Sequence, residues 1–165
     1  MGAMSAGILL YRLAADGPRV GATAAEVLIA HMGGPFWAAK DAGAWSIPKG
    51  EYDPDDEGAL EAARREFREE LGAEPPDGPF AELGTFAYSS GKRVVVFVAD
   101  GAGFDASGFD FGEFELEWPP RSGRMQRFPE VDRAEWVGLD RARDLLVKGQ
   151  RPALDALAGH LDAVT

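Results

Sequence analysis

Cysteine is absent from the 165 residues, which excludes disulfides, thiol nucleophiles and Cys-ligated zinc. Histidine is nearly absent too. His31 and His160 are the only two, too few for a multi-His metal centre, so any hard cation falls to carboxylates. No apolar run approaches the ~20 residues of a membrane-spanning helix. Cations are in deficit: 17 Lys and Arg stand against 28 Asp and Glu, for a formal net charge of −11. A surface of that sign argues against a nucleic-acid backbone or an anionic membrane as the main partner. It leaves room for an anionic substrate held by local cations.

What is there is globular. The chain is 45% apolar and 27% charged, and its length suits one domain over 1–165. The apolar stretch Ala6–Tyr11 has no basic leader before it and reads as a first strand, not a signal peptide. A cytoplasmic location is expected. The 21 glycines and 11 prolines indicate many well-defined loops.

Ala6–Leu13 and Glu26–Met32, rich in Ile, Leu and Val, read as strands, joined by a Gly/Pro/Ala connection over Ala14–Ala25. Gly33–Gly43 reads as a loop. Trp45-Ser46-Ile47 is a short extended piece that Pro48-Lys49-Gly50 stops. Phe80–Tyr88 and Lys92–Asp100 read as two strands joined by a Ser-Ser-Gly turn. The unbroken apolar run Val94–Val98 marks the second as central. Glu113–Trp118 alternates charge and bulk, the pattern of a half-buried strand. Pro119–Pro129 reads as a basic irregular loop. Ala134–Leu139 reads as a last strand, followed by helices near Asp140–Val147 and Pro152–Ala163. Strands flanking one strong helix, with more helix at the end, predict an α/β sandwich around a mixed sheet.

The strong helix is Glu57–Leu71, with Asp53-Pro54 as its expected start and Gly72 as its stop. On a helical wheel Leu60, Ala63, Phe67 and Leu71 make one apolar stripe. Glu66, Glu69 and Glu70 share a neighbouring sector about 100° wide. Three carboxylates at such spacing repel one another, and they occupy the end of the helix where the dipole disfavours negative charge. A divalent cation relieves both penalties. Oxygen ligands without His or Cys favour Mg²⁺ or Mn²⁺, with Ca²⁺ also open.

From Gly50 the sequence runs six residues to Glu57, seven more to Arg65, then Arg65-Glu66-Phe67-Arg68-Glu69-Glu70-Leu71-Gly72-Ala73. This resembles the signature box of the Nudix hydrolases, differing only in one extra residue between Gly50 and Glu57. The preceding Ser46-Ile47-Pro48-Lys49 also resembles the family's approach to the box. Gly34-Pro35-Phe36-Trp37 and Trp118–Gly123 resemble a bacterial subgroup of predicted nucleoside triphosphate pyrophosphohydrolases. The resemblance implies a Nudix-type α/β/α sandwich with a central mixed sheet. It implies Glu66, Glu69 and Glu70 as metal ligands with the Gly50 carbonyl, Mg²⁺ or Mn²⁺ as cofactor, and Glu57 with Arg65 as a structural ion pair.

Glu130–Trp136 resembles the late segment of diadenosine polyphosphate hydrolases, in which a Glu stands six residues before a Trp. That comparison selects Glu130 as ligand or base, with Glu70 and Glu69 as the other catalytic acids. Ala134 stands where that segment has an aromatic residue, so a stacking partner is missing there. The implied activity is hydrolysis of a pyrophosphate bond in a nucleoside diphosphate linked to another group, a dinucleoside polyphosphate or nucleoside triphosphate among them. The alternative is a non-catalytic Nudix-fold sensor or interaction domain. Lys49 suits a phosphate contact or a solvated loop. Lys92, Arg93, Arg121, Arg124 and Arg127 suit phosphate contacts, the run Arg121–Arg127 equally a surface loop with salt bridges to Glu113, Glu115 or Glu117. Phe36, Trp37, Trp45, Tyr88 and Trp118 suit base stacking or the core.

Overall fold

A computed structural model describes residues 3–13, 25–105 and 108–164. The connection expected over Ala14–Ala25 therefore lies outside the described residues, apart from Ala25. The strands are β1 (Met4–Leu13), β2 (Ala25–Met32), β3 (Trp45–Ser46), β4 (Lys49–Glu51), β5 (Ala81–Ala87), β6 (Arg93–Asp100), β7 (Glu113–Glu117), β8 (Met125–Pro129) and β9 (Val131–Gly138). The helices are α1 (Ala59–Leu71), α2 (Leu139–Leu145) and α3 (Arg151–Val164). Among the described residues no helix is long and apolar enough to cross a membrane.

Seven strands form one mixed sheet. β1 runs parallel to β6, and the other pairings, β1 with β2 and β4, β2 with β3 and β9, and β5 with β6, are antiparallel. Alternation along β1 and β6 sends side chains to opposite faces. Ala6, Ile8, Leu10, Val95 and Phe97 pack with Ala62, Ala63, Phe67 and Leu71 of α1. Leu9, Val94, Val96 and Val98 face the other way and pack with Leu145, Leu154, Leu157 and Leu161 from the α2/α3 side. Helices cover both faces of the sheet, the expected α/β/α sandwich, and the unbroken apolar run of β6 is apolar because both its faces are buried. Burying Phe67 contributes about 1.5–3 kcal/mol. Truncating it to Ala would cost about 3–5 kcal/mol and free α1 from the sheet.

Three local readings need correction. Pro48 does not end the extended chain: Lys49–Glu51 forms β4, which pairs Ser5 with Glu51 and Gly7 with Lys49. Pro48 lacks a donor, but its carbonyl still accepts the Ile8 N–H at 3.1 Å, so the strand resumes directly after it.

The helix starts at Ala59, not Glu57, with Gly58 extended before it and no side-chain cap. The Asp53 carboxylate instead accepts the Asp55 N–H at 2.9 Å, and its carbonyl accepts from Asp56 and Glu57.

Pro119–Pro129 is only partly irregular. Met125–Pro129 is β8, paired with β7 in a separate two-stranded hairpin, Phe114 opposite Phe128. Its residues Met125 to Arg127 are all exposed, so no apolar alternation announces it and the backbone ladder defines it.

Candidate functional site

Four acids from three places in the chain meet in one cavity of about 440 Å³: Glu51 from the end of β4, Glu66 and Glu70 from α1, and Glu130 from the turn between β8 and β9. Ser5, Ser46, Lys49, Gly50, Tyr88 and Lys92 complete its polar wall. Helix α1 brings its two acids there because Ala63, Phe67 and Leu71 fix its apolar stripe on the sheet, which turns the neighbouring sector toward β4. Gly50 is required by close approach. A Cβ at that position would come within 1.9 Å of Glu66 Oε2, so the β4 backbone lies directly against the carboxylate.

The helix end is satisfied from outside. The carbonyls of Glu70 and Leu71, two of those that an α-helix leaves without internal partners, accept the Gly112 N–H at 3.3 Å and the Asp110 N–H at 2.9 Å. The Gly112 carbonyl in turn accepts the Glu130 N–H at 2.7 Å, and the Glu130 carbonyl accepts the Gly33 N–H at 2.9 Å. Glu130 is thus tied through the main chain to the end of α1 on one side and to the end of β2 on the other. Nearby, the fully buried His31 ring meets the Asp132 carboxylate at 2.8 Å and the Lys40 carbonyl at 2.7 Å. That histidine braces β2 against β9 and is no part of the acid group.

The electrostatics of the cavity are those of crowded acids. Burial, reinforced by Glu66 and Glu130, pushes Glu70 up to about 8, against relief from the Lys49 charge and from its backbone N–H, which donates to Glu70 Oε2 at 3.3 Å. Burial also raises Glu66, with Glu69 and Glu130 adding to the effect and Arg65 opposing it. A cation placed among these carboxylates reverses the sign of the balance.

The Glu57–Arg65 pair is present. Arg65 donates from Nη2 to Glu57 Oε1 at 2.5 Å and from Nε to Oε2 at 3.2 Å. This hydrogen bond raises Arg65 further and holds Glu57 below the usual carboxylate range. The loop folds over the helix because Glu57 precedes α1. As a helical residue its side chain would point about 80° away from Arg65. The third nitrogen, Nη1, donates to Glu66 Oε1 at 2.8 Å and to Glu69 Oε2 at 3.2 Å. Glu66 and Glu69 therefore share a charge partner in Arg65, which the wheel alone does not show.

The remaining expected residues divide. Lys49 and Gly50 line the cavity. Glu69 does not; its side chain is 56% exposed and held outward by Arg65. Arg121, Arg124 and Arg127 sit on the β7–β8 hairpin, exposed, and outside the cavity. Arg127 pairs with Glu113 at 3.5 Å, and the Arg121 N–H donates to Glu117 at 2.9 Å. Glu51 carries no signal in the sequence, because Pro48-Lys49-Gly50 reads as the end of the extended piece.

Gly50, Glu66, Glu70 and Glu130 offer oxygen donors to one cavity, a set that fits a hard divalent cation. Among the described residues, no three His, Cys, Asp or Glu side chains are already drawn closely enough to hold an ion.

Comparison with known proteins agrees with this architecture. Residues 11–157 match the NUDIX domain family, and the chain belongs to that family. An uncharacterized 17.7 kDa protein from the e-segB intergenic region of Enterobacteria phage T4 is 46% identical over 54 residues, 32% of this chain and 36% of that protein. The chain thus matches about a third of the length of this curated relative.

Among solved structures, a Caenorhabditis elegans (C. elegans) Ap4A hydrolase binary complex superposes with a TM-score of 0.62 at 20% identity, covering 98% of each chain. The NUDIX domain of Shewanella oneidensis NrtR, complexed with ADP ribose, gives 0.60 at 15% identity, covering 100% of this chain and 90% of that one. The C-terminal domain of mouse MUTYH, in complex with human PCNA, gives 0.57 at 15% identity, covering 97% and 90%. These likenesses concern the fold. It serves a hydrolase, a ligand-bound domain and a domain seized by a partner protein, so function rests on the site.

Proposed function

We propose that the protein is a Mg²⁺- or Mn²⁺-dependent pyrophosphohydrolase. It cleaves the phosphoanhydride of a nucleoside diphosphate linked to another group, with dinucleoside polyphosphates preferred. The observation that carries this is the convergence of Glu66, Glu70 and Glu130 with Lys49 on one cavity. Three repelling acids beside a cation suit a metal–polyphosphate substrate, and a site for a neutral ligand has no need of them.

Glu66 and Glu70, with the Gly50 carbonyl, would hold the metal. The bound cation would supply charge neutralisation of the phosphate oxygens and acidification of the attacking water. The chain's own groups do the rest. Lys49 neutralises a phosphate oxygen and orients it. Glu130, on a turn that main-chain bonds hold against α1, takes the proton of the attacking water as general base. Glu69, outside the cavity beside Arg65, is placed to assist only after a side-chain rotation. The water's oxygen forms a bond to one phosphorus as the bridging P–O bond breaks, and the second phosphate leaves with the electron pair. Arg121, Arg124 and Arg127 would touch only a part of the substrate that extends past the cavity. A cytoplasmic location belongs to the same proposal, because soluble nucleotides are its substrates.

The test is a panel of diadenosine polyphosphates, nucleoside triphosphates, nucleotide sugars and ADP-ribose incubated with Mg²⁺, with products resolved by chromatography. Cleavage of a phosphoanhydride in at least one class supports the reading. Tight nucleotide binding without turnover supports the non-catalytic alternative.

A further inference from the structure

The ladder between β2 and β9 is regular except at one point, beside the turn that holds Glu130. It runs from Glu26 opposite Gly138 to His31 opposite Arg133, and then Met32 pairs with Val131. Asp132 is the residue left over, a β-bulge. The bulge reverses the alternation of side chains along β9. Beyond it, Ala134 and Trp136 pack toward α1 while Val137 packs toward α2 and α3; before it, Val131 packs toward α1. Without the extra residue Val131 would share the face of Val137, and Glu130 would turn over with it.

A buried ring holds the bulge. His31 has 0% exposure, and Trp45 packs edge-on against it. Its Nδ1 lies 2.8 Å from Asp132 Oδ1, and its Nε2 lies 2.7 Å from the Lys40 carbonyl oxygen. A carbonyl only accepts, so Nε2 carries a hydrogen. Two lone pairs would repel at the Asp132 contact, so a second hydrogen lies there. Arg133 Nε stands 3.9 Å from the same carboxylate oxygen, and Arg133 Nη2 stands 3.8 Å from Asp41. The guanidinium favours the carboxylate anion, which leaves that hydrogen on the ring. The result is a charge-assisted clamp joining β2, the loop before β3 and the bulge.

Glu130 takes its direction from this clamp. Its carbonyl accepts the Gly33 N–H, two residues after His31, at 2.9 Å. A Cβ at Gly33 would come within 1.9 Å of the Pro129 carbonyl oxygen, so the two backbones touch. Met32 and Val131, the pair next to the bulge, line the acid cavity with Glu130, whereas His31 and Asp132 do not. We propose that His31 is a positioning residue for the reaction. Through the Asp132 bulge it sets the face of β9 from which Glu130 enters the cavity, and it touches neither substrate nor metal. The inference rests on the proposed role of Glu130 as general base.

Three variants test it. Asp132→Ala removes the acceptor at a partly exposed position, and Asp132→Asn keeps one. His31→Gln retains a donor for the Lys40 carbonyl and cuts the Asp132 contact. Amide hydrogen exchange in the metal-free protein reads the geometry. In Asp132→Ala and His31→Gln, the Gly33 and Glu130 amides should exchange at least about tenfold faster while Val96 keeps its rate, and Asp132→Asn should stay within about threefold of wild type. Kinetics reads the consequence. Asp132→Ala should lower kcat about tenfold or more with KM within about twofold, and should cost nothing further in a Glu130→Gln background. Unchanged exchange at Gly33 and Glu130 would overturn the proposal. So would a rate loss that multiplies with that of Glu130→Gln, or an acceleration that includes Val96, since the ring would then hold the whole fold and not the bulge. A wild type without turnover that shows these exchange differences would sink the hydrolase reading alone and leave the clamp standing.

Discussion

Arg65 grips Glu57 with two nitrogens and offers its third to Glu66 and Glu69. One guanidinium thus fastens the loop that follows β4 to the helix and steadies one wall acid from behind. Glu57→Gln should break the first task and leave the second. We expect a measurable fall in Tm and a loss of kcat below about tenfold, since Glu57 lies outside the cavity. Thermal scans and steady-state rates decide this. An unchanged Tm with a rate loss of several hundredfold would move Glu57 into the reacting group.

Glu70→Gln should remove most turnover and stabilise the metal-free protein. The folded-state value of about 8 lies above the ordinary 4.5, so the unligated fold favours the protonated acid. The stability from that preference is full below about pH 4.5 and is lost as pH rises through about 8. In excess chelator, the wild type should therefore lose stability across this window, and the variant should lose less. A kcat retained within about threefold, under ~1 kcal/mol of barrier, would show that Glu70 is no core ligand.

Glu130→Gln should cut kcat by a factor near 10² to 10⁴ with KM little changed, the signature of a general base. Glu135→Gln is the control. Glu135 lies in β9 opposite Ile29 and is exposed, outside the acid cavity, so its rate should stay within about twofold. Matching rates for the two variants would remove Glu130 from the mechanism.

Removal of divalent cations should abolish hydrolysis, and added Mg²⁺ or Mn²⁺ should restore it. The carboxylates of Glu66 and Glu70 and the Gly50 carbonyl favour a hard cation over a softer one. Full hydrolysis in excess chelator would contradict the proposed chemistry.

Periodicity made much of this molecule legible. The apolar stripe of α1, the two-faced burial of β6 and the strong local repulsion among Glu66, Glu69 and Glu70 are all written at short range. What the wheel could not show was depth. Glu66 and Glu70 line the cavity, while Glu69, beside Arg65, stays outside it. Glu51 and the Lys148–Gln150 turn stayed hidden for another reason. Their roles come from contacts made across the sheet, with Ser5 in one case and with Tyr88 and Ser46 in the other. A lone Gln after a Lys-Gly pair carries no local signal of a buried amide. In the β7–β8 hairpin, β7 is legible from the alternation over Glu113–Trp118, whereas β8 carries no such signal because Met125 to Arg127 are all exposed.

The hydrogen bonds running from the Glu70 carbonyl through Gly112 to Glu130 and on to Gly33 use no side-chain atom. The separation between the helix acids and Glu130 is therefore a property of the chain path, indifferent to which side chains the intervening hairpin displays. Sequence drift from Glu113 to Pro129 can reshape what the protein's rim touches without retuning the reacting distance. Selectivity in such a scaffold can be exchanged like a tool head while the jaw that holds it keeps its gauge.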